Sequence, residues 1–255
     1  MIQMPRRKVE ANPNEVFIDT GDGVFACPKR VDSLKTNTPL DASQYILVQE
    51  RDGANYALSA KQQLGGLNFV QMNTEALRKG LPLATVKNMT PHYRNVNLAL
   101  DGKGVIYDAS GGLIEGERLI EHGNAINNAW AYLNNAYEKG TGFLGLDVVS
   151  IVGLDAEGRP VMQKQPLEEC VTDCWADVLG PTNSQGYYTK VAPVQKFERG
   201  KTIYASKPVA GNVARLGAVS DGAGLVGVRY PRVAGSWLGG FLRAEGTAQK
   251  IMEAK

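Results

Sequence analysis

Three groups of residues in this sequence have types and spacings that chemistry could use. The first is GAGLVG (222–227), which matches the G-x-G-x-x-G pattern of dinucleotide-binding loops. In that role the glycines let the backbone approach a pyrophosphate held at the start of the following helix. Here VRYPRV follows, with Pro231 and β-formers, so the glycines are read as serving a hairpin turn and bulge. The second group is thiol and imidazole: Cys27, Cys170 and Cys174, with His92 and His122. A structural zinc site takes about four soft ligands, and C-x-x-x-C is not the spacing of a zinc knuckle, so no metal site is expected. A cysteine nucleophile needs a paired base and an electropositive setting. Cys170 and Cys174 lie instead among Glu168, Glu169, Asp173 and Asp177, and are read as small apolar residues on the packed face of a helix. His122 is read as a packed side chain and His92 as a loop residue. The third group, the carboxylates, contains no pair that spacing singles out for acid–base work. No G-x-x-x-x-G-K-[ST], G-x-S-x-G or H-E-x-x-H occurs. Neither a catalytic residue nor a cofactor is expected.

Composition narrows the field further. The chain has 255 residues, 43% of them hydrophobic and 21% charged, which is enough to bury a sizeable core. Its net charge of +2 is too small a field to hold nucleic acid by charge alone, so such binding is expected at most through weak backbone contacts. No apolar run reaches the roughly 20 residues that span a bilayer. The start, MIQMPRRKVEANPNE, has basic residues without an apolar run behind them, unlike a secretory signal. Three cysteines without a framework suit a reducing compartment.

The elements that would position these residues are mostly strands. Asp-Gly turns between β-rich runs recur in VFIDTGDGVFAC (16–27), QYILVQERDGANYALSA (44–60), VNLALDGKGVIYDA (96–109), VVSIVGLDAEGRPVMQ (148–163) and ARLGAVSDGAGLVGV (214–228). Each predicts a hairpin, because the turn needs positive φ. Helices are predicted over 73–80, 112–140 and 165–180, with strands over 186–210 and a loose terminal helix over 247–255. The reading is one β-rich α+β domain over 15–246, with a flexible arm at 1–14 and a tail at 247–255.

The stretch GNAINNAWAYLNNAY (123–137) carries no charge. On a helix over 112–140, Leu119, Ile126, Trp130, Leu133 and Tyr137 share a stripe, and Ala125, Ala129, Tyr132 and Ala136 flank it. Asn124, Asn127, Asn128, Asn134 and Asn135 fill the other side. Asn is a weak helix former, so its amide must be wanted for a polar but uncharged contact. Three readings follow: amides bonded to backbone within the fold, a face shared with a neighbouring subunit, since interface cores are poor in charge, or a ligand groove. The second reading makes Asn124, Asn127, Asn128, Tyr132 and Asn135 interface residues. Arg6, Arg7 and Lys8 would act from the arm on a neighbour.

In these features (extended arm, early hairpins, a charge-poor helix before a later sheet) the chain resembles bacteriophage virion proteins. The resemblance implies a structural subunit of a self-assembling particle, a major capsid or capsid-associated cement protein, with tail or baseplate subunits as alternatives. Its partners would be copies of itself and other virion proteins, and it would be made in the host cytoplasm and reside in the virion. Rival readings are a hydrolase with an unrecognised site and a sugar- or peptide-binding module built on Trp175, Trp237, Tyr187 and Tyr188.

Overall fold

The computed structural model describes residues 15–19, 24–28, 34–36, 41–49, 55–128, 130–219, 222–229, 231–234 and 238–248. The arm with Arg6, Arg7 and Lys8, residue Trp237 and all but the first two residues of the expected tail lie outside them.

The described chain is mostly sheet with three helices, an α+β arrangement. It opens with β1 (Glu15–Asp19) and β2 (Val24–Pro28), an antiparallel pair that forms a two-stranded sheet of its own. A four-stranded sheet follows, built from β3 (Leu34–Thr36), β4 (Tyr45–Gln49), β5 (Asn55–Ser59) and the last strand of the chain. Next come α1 (Phe69–Arg78) and α2 (Val86–Leu100), the two-stranded pair β6 (Ile106–Tyr107) and β7 (Leu113–Ile114), and α3 (Gly116–Asn127). The main sheet then forms from β8 (Trp130–Lys139), β9 (Leu146–Leu154), β10 (Pro160–Pro166), β11 (Cys174–Asp177), β12 (Thr202–Ala205), β13 (Val213–Val219) and β14 (Gly222–Arg229). Its order is β10-β9-β8-β13-β14-β12-β11, and β15 (Gly239–Gly240) pairs beside β8. The chain returns through β16 (Arg243–Ala248) to the smaller sheet. That strand takes up the first two residues of the expected C-terminal tail.

Four of the five expected hairpins form: β1–β2, β4–β5, β9–β10 and β13–β14. The β9–β10 turn shows why the residues suit it. Asp155 Oδ1 accepts from the N–H groups of Glu157 and Arg159, and Gly158 takes φ +76°. The fifth site, Asp101–Gly102, ends α2 instead. Glycine with positive φ serves a helix C-terminus as well as a hairpin, and the two signals coincide here. The helix before it, α2, went unread because Pro91 interrupts it. Its start is fixed by a neutral capping box between Thr85 and Asn88, and Val86, Met89, Tyr93 and Val96 bury one face at helical spacing.

Three helix expectations need correction. The helix read at 73–80 starts earlier, at Phe69, because Asn68 caps it; Asn73 is inside and donates to the Phe69 carbonyl. The expected helix over 165–180 does not form. Pro166 ends β10, Asp173 takes φ +52°, and Cys174–Asp177 pairs with β12. Leu167, Cys170 and Val178 are buried, all on irregular chain, while Cys174, expected on the packed face with Cys170, opens β11 and is only half-buried. The long helix over 112–140 stops at Asn127, and residues 130–139 are the strand β8.

That strand lies between β9 and β13 with both faces covered, so burial along it is continuous. Ala131, Leu133 and Tyr137 face one apolar cluster, with α2 and β12. Trp130, Tyr132 and Ala136 face another, with α1 and β15–β16 residues. A strand covered on both sides has no hydrophobic alternation to betray it, and its Ala and Asn mimic a helix.

GAGLVG (222–227) lies wholly within β14. Its glycines serve close packing: a Cβ at Gly227 would come within 2.9 Å of Pro208 Cα, and one at Gly222 within 2.2 Å of the Phe197 ring.

Candidate functional site

The five interface candidates of the neutral stretch divide between the inside and the outside of the molecule. Asn124 and Asn128 are exposed on α3 and its C-cap. Asn127 is half-buried; its amide donates to Gly123 O at 2.9 Å and to Asn97 Oδ1 at 3.2 Å, tying α3 to α2. Tyr132 is buried and donates its hydroxyl to the Val233 carbonyl at 2.8 Å. Asn135 is buried: its Oδ1 accepts from the Val86 N–H at 2.7 Å and its Nδ2 donates to Ser150 Oγ at 3.3 Å. Val86 opens α2, so Asn135 satisfies one of the donors that a helix start leaves over. Tyr132 and Asn135 are therefore occupied within the fold and do not form a subunit face.

Asn134 shows most plainly what the amides do. Its Oδ1 accepts from the Ile151 N–H at 2.9 Å, and its Nδ2 donates to the Ile151 carbonyl at 2.8 Å. Its own backbone N–H goes elsewhere, to Ala84 O at 2.9 Å. The carboxamide thus takes the place of a peptide group in the β8–β9 ladder, at the point where the β8 backbone turns to the 81–86 segment. Only Asn or Gln offers a donor and an acceptor in that arrangement without charge. The reading of backbone-bonded amides accounts for Asn127, Asn134 and Asn135. What remains for an outside partner is the outer stripe of α3, Ile120, Asn124 and Asn128, with Ile120 58% exposed.

A second buried polar arrangement sits where α2 meets α3. His92 Nε2 and His122 Nε2 are 3.1 Å apart, and His122 Nδ1 is 2.9 Å from Ala60 O. A carbonyl only accepts, so His122 Nδ1 carries a proton. Neutral His122 then has a bare Nε2, which must accept from a protonated His92 Nε2. Burial holds His122 neutral, its pKa pushed down to about 4 against the help of the Ala60 carbonyl. Burial, with the neighbouring His122, also holds His92 well below the ordinary imidazole range. His92 was read as a loop residue; it is fully buried on α2.

The thiols are quiet. Burial, with the nearby charges of Glu169 and Cys174, raises the Cys170 thiol to about 11, and burial with Asp173 raises Cys174 as well. Among the described residues, no group of three or more His, Cys, Asp and Glu could hold a metal ion. No helix among them is long and apolar enough to cross a membrane.

Two clefts border α2. One, of about 280 Å³, lies at its C-terminal end beside Asp101, Asp177 and Glu198. Each of these carboxylates has a lysine: Lys103 at 3.9 Å, Lys190 at 3.0 Å and Lys201 at 3.2 Å. The other, of about 210 Å³, lies at the first turns of α2 and is lined by basic and neutral residues. The sequence carries no sign of it, because Pro91 breaks the helical pattern that would set Lys87 and Arg94 on one face.

The described sugar-platform candidates, Trp175, Tyr187 and Tyr188, do not gather on a surface. Tyr187 and Tyr188 are buried, and Tyr187 shares a hydrogen bond with Tyr137, oxygen to oxygen 3.0 Å. Trp175 packs edge-on against Tyr204 at 5.5 Å and near Phe197 at 5.9 Å. No family model, no curated protein and no solved structure matches this chain.

Proposed function

We propose that this chain is a structural subunit of a self-assembling particle, a bacteriophage capsid protein of the shell or its cement. The observation that carries the reading is the β1–β2 hairpin. Its strands, EVFID and VFACP, are rich in apolar residues, yet among the described residues they form a sheet of two that no other strand extends. An isolated two-stranded hairpin is marginal in water at best. Such an element calls for a surface to rest on, and a neighbouring copy of the chain supplies one. The outer stripe of α3 supports the same reading: Asn124 and Asn128 are exposed and uncharged, beside an exposed Ile120.

The strand β10 is one of the two outer strands of the main sheet and a less suitable contact. Pro160 and Pro166 bracket it, a bulge falls between Val161 and Met162, and Lys164 sits in its middle. These are the devices by which edges resist pairing.

Sedimentation of the wild-type chain beside an Asn124→Lys, Asn128→Lys variant tests the proposal. Both should fold alike, since neither side chain is buried. The wild type should form large particles and the variant should stay small. Equal particles from both would remove the α3 stripe from the contact, and a monomeric wild type would remove the proposal.

A further inference from the structure

The cleft at the start of α2 is built differently from its neighbour, and its chemistry points to an anion. Lys87, Thr90, Pro91 and Arg94 form one wall, spaced i, i+3, i+4, i+7 so that all four share a face of the helix. The loop from Val178 to Gly186 forms the other, with Thr182, Asn183 and Ser184. Among the described residues, no Asp or Glu lines the cleft. Glu168 accepts from the N–H of the lining residue Ser184 at 2.9 Å and from its hydroxyl, so that hydroxyl is already engaged.

The helix start is itself electropositive. α2 has no acidic residue in its first turn, its capping box is neutral, and Lys87 occupies that turn. A cation there opposes the helix dipole, which ordinarily favours an acidic residue at this end. Arg94, two turns on, adds a second positive charge to the same wall. Like charges focused in a concave site raise the local concentration of anions. The cleft is also held in shape. Gly186 takes φ +88°, and a Cβ there would lie 2.3 Å from Lys87 Cα, so loop and helix are in close contact at one end. The Thr90 hydroxyl crosses the seam, 2.8 Å from Gly186 O and 2.9 Å from Val86 O. Tyr188 is buried; burial raises its phenol's pKa, against the opposing charge of Arg94.

We infer that this cleft binds a phosphoryl group, with Lys87 and Arg94 as its cationic contacts. The site is small, about 210 Å³, which suits a single phosphate with a short attachment and not a dinucleotide. Arg94 brings a planar guanidinium, whose Nε donates to Asn95 Oδ1 at 3.3 Å, and Lys87 a point charge. The phosphoryl group has two sources, a free phosphate ester or one phosphate of a nucleic-acid strand. The inference does not depend on the assembly reading, because the cleft lies within one chain.

Titration calorimetry on the full chain tests it, with inorganic phosphate, glycerol 3-phosphate and a short single-stranded oligothymidylate as probes. Wild type should bind one phosphoryl probe per chain. Lys87→Gln and Arg94→Gln should each weaken that binding by about tenfold or more, as expected for losing one charge-assisted contact. Thr182→Glu, which sets a carboxylate at an exposed position of the cleft, should abolish it while leaving the thermal transition in place. Lys103→Gln, in the neighbouring cleft, should change nothing. Tighter binding of glycerol 3-phosphate identifies the free ester as the source; tighter binding of the oligothymidylate, weakened by the same substitutions, identifies the strand. If no probe binds, or if the Lys87, Arg94 and Thr182 substitutions leave binding unchanged, the inference is overturned.

Discussion

His92 and His122 meet inside the protein, Nε2 to Nε2 at 3.1 Å, and share one hydrogen between them. The Ala60 carbonyl fixes the direction of the bond by requiring the other His122 proton. Adding a proton to His122 would set two N–H groups against each other in a dry site. Both residues are therefore held neutral, well below the ordinary imidazole range, first by burial.

The sign of the pH dependence follows. The unfolded chain protonates its histidines near 6.5, while folded His122 does so only near 4 and folded His92 only at low pH. Stability is full above the unfolded value and falls as pH drops below it, by up to about 1.4 kcal/mol per pH unit for each histidine. Carboxylates such as Asp147, held low chiefly by the Thr141 N–H, lose their contribution only at lower pH, so they leave this window clear. Urea midpoints should decline between about pH 7 and pH 5 in the wild type, and less steeply in His92→Gln. A flat wild-type profile would refute the neutral pair.

Asn134 and Asn135 should matter for stability and not for assembly. Asn134→Leu strands the Ile151 N–H and carbonyl, at about 1–3 kcal/mol for each buried group left without a partner. Asn134→Asp keeps the acceptor and loses the donor, so it should also destabilise, despite its shape. Chemical denaturation checks both. A loss under about 0.5 kcal/mol, the range of an ordinary surface change, would mean that the amide does not replace a peptide group.

How much of this was legible in the residues depends on which signal stood alone. The hairpins at Thr20–Gly23, Asp52–Gly53, Asp155–Gly158 and Asp221–Gly222 were readable because β-rich runs bracket each turn. Asp101–Gly102 misled because helix ends and hairpins both use a glycine with positive φ. The strand β8 was hidden by tertiary burial: its two faces meet different clusters, which erases the period of two, and the spacing of Ile126, Trp130 and Leu133 imitates a helix. The need for uncharged amides could be read from the Asn-rich stretch, but their partners, Ile151, Val86 and Ser150, are set by long-range pairing. The basic cleft could not be found while α2 was unread, because Lys87 and Arg94 share a face only on a helix.

Cys170 should resist modification. Its thiol is buried and its pKa is about 11, so little thiolate exists at neutral pH. A maleimide added to the native chain should label Cys174, which is half-buried, before Cys170, and both should react at once in denaturant. Rapid native labelling of Cys170 would show that the 167–173 segment opens readily.

The β1–β2 hairpin should act between copies. Phe17→Asp with Phe25→Asp keeps the turn and strand lengths but removes two large apolar residues from a sheet of two strands. The subunit should keep its thermal transition while particles weaken or fail to form, as judged by sedimentation. A lowered transition in the monomer would mean that the hairpin packs on its own chain.

Native mass measurement of the full chain, across rising concentration and at neutral pH, bears most directly on the central claim of self-assembly. The account predicts a cooperative rise from the 27.5 kDa subunit to a closed particle of many copies, with few intermediates. A chain that stays at the subunit mass at every concentration would contradict it.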